Sequence, residues 1–290
     1  MFEGVLPALI TPFKQNGDLD EEGLRRNIEL LGETGISGIV PCGTTGESAT
    51  LTHEEHKRVV EVAVECSKVP VVAGTGSNNT AEAVELTRHA ADVGASAALL
   101  ITPYYNKPND AGMLAHYSKV AESADIPLVL YNVPGRTGVD IKPELVAKLA
   151  EIRNVAAIKE AISNLTEVSR VIELTRDRSF SVLSGEDGLT VPMLSLGATG
   201  VISVVANVAP SKMVDMVKSF RIGDLEKARR LHYELSPLTR ALFLETNPIP
   251  VKTACRMMGL AAGPLRLPLA EMTESHQREL EAVVRRLGEF

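Results

Sequence analysis

One lysine of this chain ends a short apolar run, in a position where its amine could attack a carbonyl carbon. Residues 155–158 read Val-Ala-Ala-Ile, and Lys159 and Glu160 follow directly. A run of this kind is typical of a buried strand, so Lys159 is predicted to lie at the strand's carboxyl end. Lysine amines form imines with carbonyl compounds, which makes Lys159 a candidate for covalent catalysis.

Three further polar features follow other apolar runs and suit the same chemistry. Residues 43–46, Gly-Thr-Thr-Gly, offer hydroxyl and backbone N–H groups near a helix start, which suits a carboxylate. Tyr131 could transfer protons, and Arg136 could hold a second carboxylate through two parallel hydrogen bonds. Together these residues indicate an imine with a keto acid, in an aldolase-like condensation or cleavage. Taken alone, the lysine would also fit a solvated charge and the Gly-Thr-Thr-Gly segment a plain turn.

These groups meet only if their strands share one edge, and the pattern of apolar runs predicts such a sheet. The predicted strands are Val5–Thr11, Gly38–Cys42, Val69–Gly74, Ala97–Thr102, Pro127–Asn132, Val155–Lys159, Ser181–Ser184 and Gly200–Ser203. The predicted helices are Asp20–Thr34, Thr52–Ser67, Thr80–Val93, Asp110–Ala124, Pro143–Leu149, Leu165–Thr175, Gly188–Leu196 and Ser211–Phe220. Strict alternation implies a parallel α/β fold. Eight units favour a closed (β/α)8 TIM barrel, whose active site lies at the carboxyl ends of the strands.

The strand pattern stops near residue 224. Beyond it, helical stretches are separated by Asn247-Pro248, Gly263-Pro264 and Leu267-Pro268. We therefore predict that residues 1–223 form the barrel with the active site. Residues 224–290 are predicted to form a C-terminal helical appendage.

Composition and charge exclude several other classes of protein. The 290 residues carry a net charge of −7, with 44% hydrophobic and 23% charged residues, which is ordinary for a globular protein. Because no basic stripe occurs, we expect no nucleic-acid binding. Because no apolar run reaches about 18 residues, we expect no membrane span. The N-terminal residues lack a basic segment before a long apolar one, so no signal peptide is expected.

The cysteines indicate the compartment rather than the chemistry. Cys42, Cys66 and Cys255 are far apart and show no CxxC spacing, which argues against a disulfide framework or a zinc site. The expected compartment is therefore the cytoplasm. Cys42, beside the Gly-Thr-Thr-Gly turn, could be a nucleophile, but a small buried side chain is the better interpretation because no histidine is near in sequence.

Six motifs spread over nearly the whole chain point to a known family. They are Gly4-Val5 through Thr11-Pro12-Phe13, Gly-Thr-Thr-Gly-Glu-Ser at 43–48, Tyr-Tyr-Asn-Lys-Pro at 104–108, Tyr-Asn-Val-Pro-Gly-Arg-Thr at 131–137, Ile-Lys-Glu-Ala at 158–161 and Asn-Pro-Ile-Pro-Val-Lys at 247–252. Together they closely resemble the dihydrodipicolinate synthases (4-hydroxy-tetrahydrodipicolinate synthases), within a wider pyruvate-aldolase family that includes N-acetylneuraminate lyase. The resemblance implies condensation of pyruvate with L-aspartate 4-semialdehyde in lysine and diaminopimelate biosynthesis. It implies no metal and no organic cofactor.

The resemblance also implies roles for individual residues. Lys159 would form the Schiff base with pyruvate. Thr44, Tyr131 and Tyr105 would form a proton relay, in which Tyr105 serves the site of a neighbouring subunit. Arg136 favours the synthase branch, because the resemblance assigns it to the carboxylate of the semialdehyde. The implied substrate-binding positions are Thr45, Arg136, Gly185 and Ile202.

An assembly and a second site follow from the same resemblance. The family implies a homotetramer made of two tight dimers, with L-lysine as an inhibitor at the dimer interface. Glu82 would pair with the ammonium group of that lysine, and Asn78 with Tyr104 would hold its carboxylate end. The implied positions are Ser48, Ala49, His53, His56, Asn78, Glu82 and Tyr104. The two histidines could equally be ordinary helix-surface residues.

Two other functions remain as alternatives. Another pyruvate aldolase of the family, acting on a sugar acid, would keep Lys159 and Tyr131, but Arg136 argues against it. A non-catalytic barrel that senses lysine or pyruvate would have no need of an imine-forming amine. Ile162-Ser163 departs from the Thr-Gly of many relatives, and we expect it to reshape the loop after Lys159.

Overall fold

The computed structural model of the chain describes residues 2–287, which divide into two compact units. The first unit contains Val72–Ile202 and the N-terminal residues up to Gly4. The second unit contains Val5–Val71 and the residues from Ser203 onward. The boundary at residue 223, between a barrel and a helical region, stays a prediction.

Strands and helices alternate along most of the chain. The strands are β1 (Gly4–Pro7), β2 (Val72–Gly74), β3 (Ala97–Ile101), β4 (Leu128–Asn132), β5 (Val155–Glu160), β6 (Ser181–Ser184) and β7 (Gly200–Ser203). The helices are α1 (Glu21–Gly32), α2 (His53–Cys66), α3 (Thr80–Asp92), α4 (Asp110–Ala121), α5 (Pro134–Thr137), α6 (Pro143–Leu149), α7 (Leu165–Thr175), α8 (Thr190–Leu196), α9 (Pro210–Arg221), α10 (Leu225–Ala241), α11 (Ile249–Met257) and α12 (Glu274–Val284). Short 3-10 segments lie at Ser48–Thr50, Asp187–Leu189 and Val205–Asn207.

Parallel strands form the centre of the first unit. Strands β2 to β7 pair side by side in chain order, and each pair from β2–β3 to β6–β7 is parallel. Strand residues such as Leu100, Leu130 and Ile158 pack with helix residues such as Tyr117 and Leu149 in one apolar core. Strands buried on both faces are typical of alternating strand–helix folds. The parallel alternation predicted from the apolar runs is confirmed in this unit.

One predicted strand is wrong. In the second unit, residues 38–42 form only isolated parallel bridges, from Ile39 to Val71 and from Val40 to Ala8. Two features of the segment explain why it does not extend. Pro41 has no N–H to donate to a ladder. Cys42 has a left-handed backbone with φ of 54°, which turns the chain out of the extended conformation.

Two helices of the second unit, α1 and α2, begin at residues whose side chains cap the helix. The Asp20 side chain accepts a hydrogen bond from Gly23 N at 3.0 Å, at the start of α1. At the start of α2, Thr52 Oγ1 accepts from Glu55 N at 3.1 Å and Glu55 Oε2 accepts from Thr52 N at 2.9 Å, which is a capping box. After Ser203, the part of the chain that the structure describes contains helices α9 to α12 and no strand, as predicted. Within residues 2–287, no helix combines the length and the apolar character needed to cross a membrane.

Gly76 is required by the close approach of two backbone segments in the first unit. Gly76 N donates to Leu99 O at 3.3 Å, which draws the segment after β2 onto β3. A Cβ atom at position 76 would overlap the backbone nitrogen of Ile101 and lie 2.9 Å from Leu100 Cα. Since backbone atoms cannot move aside as a side chain does, the position accepts only glycine.

Gly76→Ala is therefore expected to lower the free energy of unfolding by about 2 kcal/mol or more. Gly32→Ala is the matched control, because a Cβ at position 32 meets nothing within 4 Å and the residue is helical. This control should be neutral or slightly stabilising, by up to about 1 kcal/mol. Urea unfolding of both variants and the wild type measures the difference. Equal stability of the two variants would contradict the close approach.

Candidate active site

Lys159 and Tyr131 lie side by side on neighbouring parallel strands of the first unit. The register of β4 and β5 pairs Tyr131 with Lys159. Lys159 Nζ is 4.2 Å from the centre of the Tyr131 ring, and each residue is only 6% exposed. The structure thus places a nucleophilic amine beside a phenol that can transfer protons, in surroundings largely closed to water.

A polar network occupies the opposite face of the same two strands. Because successive strand residues point to opposite faces, Asn132 and Glu160 lie together behind Tyr131 and Lys159. Asn132 Nδ2 donates to Asp140 Oδ1 at 2.8 Å and lies 3.3 Å from Glu160 Oε2. Asn132 Oδ1 accepts from Ile141 N at 3.2 Å. The contacts with Asp140 and Ile141 fix the segment that follows α5 against β4.

The network contains a carboxyl group that burial keeps protonated. Burial raises the pKa of Glu160 to about 8; the hydrogen bond from Asn132 opposes this rise, and the carboxylates of Asp140 and Glu167 add to it. Sequence reasoning missed this network, although Asn132 and Glu160 each directly follow a predicted catalytic residue. The alternation of side chains along a strand is the signal that could have revealed the pair.

Arg136 and Glu186 bring charge to the same region of the first unit. Arg136 lies on α5 with an exposed side chain. Burial raises the pKa of Glu186, the neighbouring Asp187 adds to the rise, and the positive charges of Lys159 and Arg136 oppose it. Glu186 is therefore close enough to both cations to sense their charge. The sequence analysis assigned no role to Glu186.

A cleft of about 470 Å³ opens beside this group of residues. Ile162 and Ser163, the two residues that depart from the family pattern, lie in its wall. The wall also includes Pro134, Gly135, Asp140, Ala161, Asn164, Glu167, Glu186 and Leu189. A cleft of this size holds a small metabolite, and carboxylates from three positions give it a polar lining.

Gly185 and Ile202 have no reactive side chains, and what the structure defines for them is their position in the backbone. Gly185 N donates to Glu160 O, at the end of β5, at 2.7 Å. A Cβ at position 185 would lie 2.8 Å from Ala161 Cβ, so this close approach requires glycine. Ile202 is buried on β7.

Three of the residues implied for a lysine site gather near the loop after β3. Asn78 Nδ2 donates to Tyr104 O at 3.2 Å. Glu82, on α3, accepts a hydrogen bond from Ser77 Oγ. Burial raises the pKa of Tyr104, and the charge of Glu82 adds to the rise. The backbone of Tyr105 is left-handed, with φ of 66°, and 88% of the residue is exposed.

The second unit carries the Gly-Thr-Thr-Gly turn. Gly46 N donates to Gly43 O at 3.1 Å, and Glu47 N donates to Thr44 O at 3.2 Å, which closes the turn. Thr45 is 2% exposed, and its Oγ1 accepts from Asn247 Nδ2 at 3.0 Å. The remaining implied lysine-site residues also belong to this unit. Ser48 and Ala49 lie in the 3-10 segment after the turn, and His53 and His56 lie on α2.

Cys42 is a buried structural residue, as the preferred interpretation expected. It is 3% exposed, and its thiol donates to His56 O at 3.6 Å. Burial raises the pKa of the Cys42 thiol, which disfavours the thiolate that a nucleophile needs. Among residues 2–287, no three His, Cys, Asp or Glu side chains gather closely enough to hold a metal ion.

Known proteins share this architecture over nearly their whole length. A crystal structure of a dihydrodipicolinate synthase is 56% identical, with a TM-score of 0.96 and 99% of each chain covered. The chain therefore has the α/β TIM-barrel fold with C-terminal helices that the sequence predicted. A 4-hydroxy-tetrahydrodipicolinate synthase from Methanothrix thermoacetophila is 68% identical over 290 residues, covering 100% of this chain and 98% of that protein.

Two further structures were solved with ligands. One is a chloride-inhibited dihydrodipicolinate synthase from Acinetobacter baumannii complexed with pyruvate, 40% identical with a TM-score of 0.96 and 99% of each chain covered. The other is from Cyanidioschyzon merolae with lysine bound, 41% identical with a TM-score of 0.95, covering 99% of this chain and 98% of that one. Fold and relatives together define a lyase. The dihydrodipicolinate synthetase family matches residues 1–287, and the chain belongs to this family. The family predicted from the motifs is thus confirmed.

The raised pKa of Glu160 predicts how stability depends on pH. Between about pH 4.5 and pH 8, the folded chain keeps a proton on Glu160 that the unfolded chain has released, so the free energy of unfolding falls as the pH rises. At about 1.4 kcal/mol per pKa unit, this group contributes a total fall on the order of 5 kcal/mol over that range. Glu160→Gln carries no titrating proton and should remove that fall.

Urea unfolding between about pH 5 and pH 8 measures this dependence. The stability of Glu160→Gln relative to the wild type should increase steadily across the range. Glu122→Gln, which removes a carboxylate that is 70% exposed, is the control and should leave the wild-type dependence unchanged. Parallel curves for wild type and Glu160→Gln would show that Glu160 is ionised throughout.

Proposed function

We propose that this protein joins pyruvate to L-aspartate 4-semialdehyde through an imine on Lys159 and releases 4-hydroxy-tetrahydrodipicolinate. Its family and its 68% identical relative imply 4-hydroxy-tetrahydrodipicolinate synthase activity, a lyase reaction of lysine and diaminopimelate biosynthesis. One observation carries the choice of Lys159: its amine is buried and lies 4.2 Å from the ring centre of Tyr131. The pyruvate bound to the relative from Acinetobacter baumannii supports pyruvate as the first substrate.

The first half of the reaction activates pyruvate. The Lys159 amine adds to the keto carbon, and water leaves as the imine forms. The protonated imine draws electrons from the adjacent methyl group, so a methyl proton departs and an enamine results. Because the imine itself accepts the electrons, the step needs no metal and no organic cofactor. Tyr131 is the group placed to accept and return protons in this step.

The second half forms the new carbon–carbon bond and frees the enzyme. The enamine carbon attacks the aldehyde carbon of the semialdehyde, and the resulting alkoxide takes a proton. The amino group of the semialdehyde then attacks the imine carbon, expels the Lys159 amine and closes the ring. Thr44 and Tyr105 complete the proposed proton relay, and Tyr131 connects them with the reacting atoms.

Binding of the two carboxylates sets the orientation of the substrates. We assign the pyruvate carboxylate to Thr45 and the turn that carries it, with Gly185 and Ile202 lining the pocket. The carboxylate of the semialdehyde goes to Arg136, whose exposed guanidinium can hold it through two parallel hydrogen bonds. Lys159 and Arg136 also act on the pKa of Glu186, which supports a position for Arg136 near the reacting amine.

The exposed tyrosine loop supports assembly into a homotetramer. An aromatic residue that is 88% exposed on a left-handed backbone gains nothing for the stability of a single chain. Donation of Tyr105 to the site of a neighbouring subunit would explain both features. We place this assembly in the cytoplasm, where its free cysteines stay reduced.

A lysine site formed around Tyr104 is a separate part of the proposal. The relative from Cyanidioschyzon merolae was solved with lysine bound. In this chain, the Glu82 carboxylate can pair with an ammonium group, and Asn78 already contacts the backbone of Tyr104. L-lysine is therefore the proposed feedback inhibitor. The proposed contact residues of the second unit are Ser48, Ala49, His53 and His56.

Trapping of the imine tests the central assignment. Borohydride reduction with saturating pyruvate should attach one pyruvate per chain, at Lys159. Lys159→Ala should abolish this label and lower kcat by at least about 10³-fold. Lys148→Ala, which removes an exposed lysine on α6, is the control and should label fully. Undiminished labelling of Lys159→Ala would refute the mechanism. Turnover with N-acetylmannosamine in place of the semialdehyde would move the proposal to the sugar-acid branch.

Inhibition by lysine tests the second site. Glu82→Gln removes the charge assigned to the ammonium group, so half-inhibition should require at least about tenfold more L-lysine. Glu85→Gln, an exposed residue one turn away on α3, should keep wild-type inhibition. If millimolar lysine leaves the wild-type rate unchanged, the lysine site is refuted while the synthase assignment stands.

A further inference from the structure

The second unit contains a buried ion pair that the proposed reaction does not use. Lys252 Nζ lies 2.6 Å from Glu47 Oε1, and both side chains are 0% exposed. Removing two charges from water costs several kcal/mol per ion, and an apolar pair of similar volume is often at least as stable. The presence of this pair so deep in the unit therefore calls for a role other than general stability.

Both charges have a complete set of partners. Lys252 Nζ also donates to Pro264 O at 2.9 Å and lies 4.4 Å from the centre of the Phe13 ring. The second oxygen of Glu47 accepts from Arg266 N at 3.1 Å. Burial lowers the pKa of Lys252, and the charge of Glu47 opposes this change. Such a set of contacts holds Glu47 in one place.

Glu47 is also the residue that closes the Gly-Thr-Thr-Gly turn. Its backbone is left-handed, with φ of 54° and ψ of 34°, and its N–H donates to Thr44 O at 3.2 Å. A left-handed conformation is unfavourable for a residue other than glycine, because its Cβ crowds the following carbonyl oxygen. The ion pair provides a force that keeps Glu47 in this conformation, and it thereby holds the shape of the turn.

The C-terminal segment that carries Lys252 contacts the Gly-Thr-Thr-Gly turn at a second point. Asn247 lies two residues before α11, and Lys252 lies within that helix. Asn247 Nδ2 donates to Thr45 Oγ1 at 3.0 Å in buried surroundings. Because Thr45 Oγ1 accepts this hydrogen bond, its own hydroxyl hydrogen is available to donate to another acceptor. One helical segment thus sets the backbone at Glu47 and the hydroxyl orientation at Thr45.

We propose that Lys252, Glu47 and Asn247 are positioning residues that hold the Thr44–Thr45 turn ready for the carboxylate of the keto acid. This inference rests on the proposed function, which assigns that carboxylate to Thr45. The three residues touch no substrate and act through the turn. Their role is to spare the protein the cost of ordering the turn at each binding event.

The first test replaces the ion pair with a neutral pair of similar shape. The double variant Lys252→Met/Glu47→Gln leaves no unpaired charge in the interior. Half-saturation of borohydride trapping should require at least about tenfold more pyruvate, while the extent at saturating pyruvate stays at one label per chain. The KM for the semialdehyde should change less than about twofold. Arg285→Gln/Glu281→Gln, which removes an exposed ion pair on and just after α12, is the matched control and should behave as the wild type.

The second test keeps the inference falsifiable if the double variant does not fold. Asn247→Ala removes the hydrogen bond to Thr45 without exposing a charge, and it should raise half-saturating pyruvate about fivefold or more with full labelling at saturation. Wild-type half-saturation in either folded variant would overturn the inference. So would a parallel rise in the KM values of both substrates, which a merely structural role predicts. Absence of a label on wild-type Lys159 would instead refute the proposed function, so the two failures are distinguishable.

Discussion

The register between strands β4 and β5 is the constraint on which the rest of the first unit depends. It pairs Tyr131 with Lys159 and, one residue later, Asn132 with Glu160. Because side chains alternate along a strand, the first pair lies on the face proposed for the reaction and the second pair lies on the opposite face. A slip of one residue would exchange the two faces and bring a buried carboxyl group to the reactive side. On the second face, Asn132 Nδ2 donates to Glu160 Oε2 at 3.3 Å, a side-chain contact between the same two strands that supports this register.

Each unit contains buried polar groups next to residues that were assigned to a site. In the first unit, a neutral Glu160 carboxyl shares Asn132 with Asp140, and in the second an ion pair closes the Gly-Thr-Thr-Gly turn. Such groups cost free energy to bury unless their hydrogen bonds are satisfied. Their hydrogen bonds are directional, however, whereas the contacts of an apolar core are not. The benefit that can justify this cost is the precise placement of the proposed reacting amine and of the proposed carboxylate site.

The parts of the fold that the sequence predicts are those that follow from local pattern. Apolar runs located Lys159 at the end of β5, and the helical pattern that begins at Thr52 located the start of α2, because both signals act within a few residues. The strand predicted at residues 38–42 was wrong because the chain turns tightly at Cys42, despite the apolar character of the segment. The contact between Glu47 and Lys252 spans 205 residues of sequence. No local sequence signal predicts such a pair. The motif around Glu47 and the motif around Lys252 each contain only one of the two charges, so neither motif by itself explains why its charged residue is present.

Strained backbone gives independent weight to two of the six motifs that the sequence analysis singled out. Among residues 2–287, the non-glycine residues with positive φ are Cys42, Glu47, Tyr105 and Lys107. Two flank the Gly-Thr-Thr-Gly turn, and two lie in the Tyr-Tyr-Asn-Lys-Pro loop. Each such residue costs of order 1–3 kcal/mol, and a fold under no other demand would place glycine there. The sequence keeps larger side chains at these points because Glu47 anchors a buried ion pair and Tyr105 presents a phenol at the surface. Backbone strain therefore coincides with the two loops that carry Thr44 and Tyr105, members of the proposed proton relay, although neither loop was chosen for its strain.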